Sequence, residues 1–175
     1  MESYTIWIVS LPGYPHSRAF EEMAYCLSCA FRRLGYPVSV VRKAEDIEGS
    51  PIVLGCNLLP YLADVRIPKN AILYNLEQVQ QSSPWMNDHY LELLKGYEVW
   101  DYSKRNMDEL RNLGVRNIKL CRIGYVPELT QIEPTEETTD VLFYGSLNPR
   151  RRDILAQVEH GGLEVTQLRD MYGEE

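Results

Sequence analysis

Three short loops in this 175-residue chain hold the residue types from which a site could be built. The first is Pro12-Gly-Tyr-Pro-His-Ser-Arg18, in which two prolines and Gly13 fix the backbone and deliver His16, Ser17 and Arg18 to the start of a helical run. Imidazole titrates near neutrality, so His16 can serve as a general base; the alternative is a polar residue that merely begins a helix. The second loop, Asn75-Leu-Glu-Gln78, offers the Glu77 carboxylate and the Gln78 amide, which can bind the hydroxyls of a sugar-like acceptor or cap the next segment. With these go Gly13, for close backbone approach, and Arg18. The third, Gly145-Ser-Leu-Asn-Pro-Arg-Arg-Arg152, combines a glycine, a helix amino terminus and guanidinium groups, a set that suits a nucleotide diphosphate. Gly145, Ser146, Asn148, Arg150 and Arg151 are its candidate phosphate contacts. Three arginines at a helix amino terminus oppose the helix dipole, a repulsion easier to understand if an anion binds there; a solvated basic helix start is the alternative.

Other chemistries lose support. A dinucleotide fold needs Gly-x-Gly-x-x-Gly after its first strand, and a P-loop needs Gly-Lys-Ser/Thr; neither is present. There is no Asp-x-Asp, no Gly-x-Ser-x-Gly and no His/Cys/Asp/Glu group with metal-ligand spacing, so neither a metal nor a cofactor is expected. Cys26 and Cys29 fall well inside a helical run rather than at its start, where a redox pair would sit, so all four cysteines read as buried free thiols.

The elements that must position these loops follow from the apolar pattern. Thr5-Ile-Trp-Ile-Val-Ser-Leu-Pro12 is a β-branched run stopped by Pro12 and Gly13, a buried strand. From Ser17 to Leu34, Phe20, Met23, Ala24, Leu27, Ala30, Phe31 and Leu34 recur at helical spacing; Ser17 is expected to cap this helix and Gly35 to end it. Strands are expected at 36–41, 51–55, 71–76, 98–102 and 118–123. Helices are expected at 84–94, opened by Pro84, and at 103–113, capped by Ser103. Strands alternating with helices require a parallel sheet, because a parallel pair needs a crossover. The fold class is α/β, a Rossmann-like parallel sheet with helices on both faces. Ligands of such a sheet bind at the carboxyl ends of its strands, where the first two loops lie.

From Glu128 to Asp140 the chain is acidic and holds no basic residue, the signature of a linker. A strand at 141–144, a helix at 150–160 and a further strand at 163–166 then open a second unit. The expected organisation is a lobe over 1–127, a linker over 128–140 and the start of a second lobe over 141–175. A net charge of −7, from 18 basic and 25 acidic residues, argues against nucleic acid as a partner. No apolar run approaches the roughly 18 residues of a membrane span. The first residues lack a secretory signal, which points to the cytoplasm.

The stretch Thr139-Asp-Val-Leu-Phe-Tyr-Gly-Ser-Leu-Asn-Pro-Arg-Arg-Arg-Asp-Ile-Leu155 resembles the entry into the second lobe of bacterial glycosyltransferase-like proteins of the GT-B fold. Asn75-Leu-Glu-Gln78, Glu98-Val-Trp-Asp-Tyr-Ser103 and Gly124-Tyr-Val-Pro127 look like the matching segments of the first lobe. The resemblance spans roughly residues 70 to 160 and implies two Rossmann-like lobes. The acceptor would lie on the first lobe and a nucleotide-sugar donor mainly on the second, with no obligatory metal. It implies the donor diphosphate at Gly145, Ser146, Asn148, Arg150 and Arg151, and an acceptor-side base at His16. On this reading the chain stops soon after the second lobe begins, so transfer by the chain alone is not expected, and its partner is a separate second lobe or another copy of itself. The alternative is a non-catalytic binding or scaffold domain.

Overall fold

The computed structural model describes residues 2–80, 83–130, 133 and 135–168. They form two compact units divided between Leu129 and Thr130. The expected linker residues 131, 132 and 134, and residues 169–175 of the expected second lobe, lie outside the described residues.

The first unit is α/β, as its sequence predicts. Its strands are β1 (Tyr4–Ile8), β2 (Val38–Val41), β3 (Ser50–Leu54), β4 (Ile72–Asn75), β5 (Glu98–Asp101) and β6 (Ile118–Leu120). All pair in parallel in the order β2-β1-β3-β4-β5-β6. Because β2 lies on one side of β1 and every later strand on the other, the sheet has a topological switch point between β1 and β3.

Each face has its own core. Helix α1 (Glu21–Arg33) covers the face of Ile6, Ile8, Ile52, Leu54 and Tyr74, with Phe20, Met23, Leu27 and Phe31 packed against it. Helices α2 (Asp88–Lys95) and α3 (Lys104–Asn112) cover the other face, where Trp7, Val53, Leu58, Leu73, Tyr90, Leu94, Val99 and Leu110 are buried. Burying each such side chain contributes about 1.5–3 kcal/mol before chain entropy is charged. Acidic residues open α1 and Arg32 and Arg33 close it, in agreement with the helix dipole.

Two helix starts differ from expectation. Ser17 does not cap α1: residues 15–20 form a tighter 3-10 turn, and the buried Ser17 hydroxyl donates back to the Tyr14 carbonyl at 3.2 Å. Pro84 does not open α2, which begins four residues later because the Asn87 side chain accepts from the Tyr90 amide at 3.0 Å. Ser103 caps α3 as expected. The thiols of Cys26 and Cys29 are free and buried; Cys26 Sγ donates to the Gly124 carbonyl at 3.2 Å, and the pair packs with Val126 to hold the end of the first unit on α1.

In the second unit, β7 (Val141–Tyr144), α4 (Pro149–His160) and β8 (Val165–Leu168) make a parallel strand-helix-strand. The final strand begins two residues later than its pattern suggests.

Candidate functional site at the carboxyl edge of the sheet

Parallel strands deliver all their carboxyl ends to one edge, so the loops after β1, β3, β4 and β5 rise together. The loop after β4 is the most firmly built. Asn75, fully buried at the end of β4, donates from Nδ2 to Asp101 Oδ2 at 2.7 Å and to the Glu77 carbonyl at 3.1 Å. Its Oδ1 accepts from the Tyr90 hydroxyl at 2.9 Å and from the Glu77 amide at 3.3 Å. Asn106 Nδ2 adds a second donor to the Glu77 carbonyl at 3.0 Å, and Asn106 Oδ1 accepts from the Val79 amide at 3.3 Å. Asp101 Oδ1 takes the Ser103 amide at 2.7 Å, which ties the network to the start of α3. Cys56 Sγ lies 3.0 Å from the Tyr90 hydroxyl and 3.4 Å from the Tyr74 carbonyl. Burial pushes its thiol up to about 12, so it stays protonated and able to donate.

The backbone of Glu77 is thus clamped at both its amide and its carbonyl. Leu76 packs on the α1 face and Val79 is buried on the opposite face, so Glu77 and Gln78 form the crest where the chain crosses the top of the sheet. Gln78 is exposed. The Glu77 carboxylate is half-buried, makes no hydrogen bond or ion pair among the described residues, and is pushed above the usual carboxylate range by that burial. Asp101, also raised by burial, is held partly back by its three hydrogen-bond donors, Asn75, Ser103 and Asn106.

The first loop is placed at the same edge. His16 is exposed and packs edge-to-face on Tyr14, with ring centroids 5.0 Å apart; Tyr14 in turn meets Trp85 at 6.4 Å. Arg18 is half-buried, and Gly13 is exposed at φ 73. A shared edge is what His16, Arg18, Glu77 and Gln78 have in common; no single described cavity is lined by all four. Two cavities flank the crest. One, of about 470 Å³, lies on the α1 face between Phe20, Met23, Cys26, Leu76, Tyr102 and Ile123. The other, of about 710 Å³, lies between α2 and α3 against Val79, Met86, Leu91, Arg105 and Leu113. Sequence reasoning missed both, together with Asn75, Asp101 and Tyr90 as the scaffold of the Glu77 turn. A hollow of about 640 Å³ at the amino ends of the strands lies on the opposite edge, away from these loops.

In the second unit, Gly145 sits at φ 121, a left-handed value that excludes other residues, and a Cβ there would meet nothing within 4 Å. The Asn148 Oδ1 accepts from the Arg151 amide at 2.8 Å and so caps α4. The Arg151 guanidinium folds back to donate to the Ser146 carbonyl at 2.5 Å and lies 6.0 Å from the Phe143 ring centre. Ser146 and Arg150 are exposed. Among the described residues no cluster could hold a metal ion, and no helix is long and apolar enough to cross a membrane.

No protein-family model, curated protein or solved structure matches this chain.

Proposed function

We propose that this chain is the acceptor-side part of a GT-B-type glycosyltransferase-like protein, with a nucleotide-sugar donor held through the β7–α4 loop. The observation that carries the reading is the succession of two Rossmann-like beginnings in one chain. A six-stranded parallel sheet is followed by a second parallel strand-helix-strand, whose first loop has the glycine, cap and arginines of a phosphate cradle. The crest at Glu77 and Gln78 supplies hydroxyl-binding groups on the acceptor side, Gly13 and Arg18 belong to the β1 loop at the same sheet edge, and His16 is the candidate base. In the β7–α4 loop Asn148 and Arg151 act chiefly as structure: one caps the helix and the other braces the loop. That leaves the α4 amides, Ser146 and Arg150 as the groups most open to a diphosphate.

Contacts of this exposed kind are screened by salt, so affinity near millimolar, about −4 kcal/mol, is expected. Calorimetric titration with uridine and guanosine diphosphates at low and high ionic strength tests this. Binding that weakens with salt and is lost in Arg150→Glu agrees with the reading; no binding of either nucleotide, or binding indifferent to Arg150→Glu, defeats it.

A further inference from the structure

Helix α3 carries two charges whose placement the helix itself does not explain. Arg105 lies in its first turn and Glu109 in its last, so each stands against the helix dipole, which favours anions at the amino end and cations at the carboxyl end. The two are one turn apart, with Cβ atoms about 5–6 Å from each other, and in the less favourable order for a pair, cation before anion. Neighbouring pairs of opposite charge on the same two helices do close: Arg111 donates to Asp108 at 2.9 Å on α3, and Lys95 to Glu92 at 2.7 Å on α2. The Arg105 and Glu109 side chains make no hydrogen bond or ion pair among the described residues.

Both charges line the cavity between α2 and α3, and they are the only charged residues in its described lining. Apart from the neutral Gln80, the rest is apolar: Val79, Met86, Leu91 and Leu113, the last 43% exposed. The wall is fixed before any ligand arrives. The Val79 amide donates at 3.3 Å to Oδ1 of Asn106, the residue after Arg105, and the Ser83 amide closes a turn on the Gln80 carbonyl at 2.9 Å. At about 710 Å³ the space falls inside the range of small-molecule sites, roughly 300–1,000 Å³.

A ligand that matches this lining brings one negative group, one positive group and an apolar body. A phosphate or nucleotide would face Glu109, a simple amine would face Arg105, and a neutral sugar would answer neither charge. An α-amino acid with an apolar side chain carries both charges on one carbon. Guanidinium holds a carboxylate bidentately, and a carboxylate accepts from an ammonium group. In that orientation the ligand's carboxylate lies toward the amino end of α3 and its ammonium toward the carboxyl end, the arrangement the helix dipole favours. We propose that the α2–α3 cavity binds an apolar α-amino acid as its zwitterion, the carboxylate on Arg105 and the ammonium on Glu109. The site is independent of the glycosyltransferase reading.

The test uses the full chain, labelled with nitrogen-15 and titrated with leucine, methionine and phenylalanine, with glycine and the N-acetyl and amide forms of each apolar amino acid as controls. The expected result is that at least one apolar amino acid shifts the amide signals of residues 79–80 and 105–113 in NMR spectra. Glycine and the two blocked forms of that amino acid should bind about tenfold more weakly or not at all. Arg105 and Glu109 are exposed, so both can be changed without disturbing the core. Arg105→Gln should abolish the preference for the free acid over the amide, and Glu109→Gln the preference for the free amine over the acetylated form, a crossed pattern that general loosening of the surface would not give. No shift with any amino acid, an acetylated form that binds as tightly as the free one, or glycine equal to the apolar amino acids would overturn the proposal. So would shifts of the same signals on raising the protein concentration alone, which would make the cavity a contact between copies.

Discussion

Glu77 and Asp101 are two carboxyl groups at one sheet edge, and their surroundings give them different work. Asp101 is fully buried and filled with donors, so it organises the turn; Glu77 is half-buried and fixed by its backbone, and its carboxylate makes no bond among the described residues. A carboxyl raised by folding favours the protonated folded state. Its contribution to stability is therefore complete below the ordinary carboxylate range and is lost as the pH rises through the raised value. Glu77→Gln should thus melt higher than the parent near neutral pH and no higher in acid, as thermal denaturation across pH would record. A variant that gains equally at all pH values would show that the burial of Glu77 is not what sets its titration. Tyr90→Phe removes the hydroxyl that Asn75 Oδ1 accepts and Cys56 faces, and should cost about 1–2 kcal/mol in denaturant unfolding, with little change in slope.

At the scale of elements, the β3 loop depends on Gly55. Gly13 and Gly55 share φ 73, but a Cβ at Gly13 would meet nothing within 4 Å, whereas one at Gly55 would press on Phe20 and Val9. Gly13→Ala should cost about 1–2 kcal/mol, the conformational penalty alone, and Gly55→Ala clearly more. Equal losses for the two variants would remove the close approach of the β1 and β3 loops from the account. The elements themselves were largely legible in the sequence: β-branched runs marked the strands, and Ser103 and Gly114 marked α3, because local patterns decide those features. Ser17 and Pro84 misled because a residue that suits a helix start was placed instead in a turn by tertiary packing. The Glu77 network was not legible, since Cys56, Asn75, Tyr90 and Asp101 come from four elements and meet only once the strand order is known.

At the scale of the whole molecule, the division between Leu129 and Thr130 coincides with the acidic stretch read as a linker. Glu133, Glu136 and Glu137 are exposed, so a glutamate-specific protease should cut there first and leave a first unit that still melts cooperatively. Early cleavage within residues 20–120 would contradict that division. The proposed function assigns a sugar to the carboxyl edge of the six-stranded sheet and a diphosphate to the β7–α4 loop. A single set of amide NMR spectra, recorded with a methyl glycoside alone, a nucleoside diphosphate alone and both together, tests it most directly. The account predicts two separate groups of shifted signals, residues 76–79 for the glycoside and residues 145–151 for the diphosphate. Both ligands moving the same signals, or neither moving any, would contradict it.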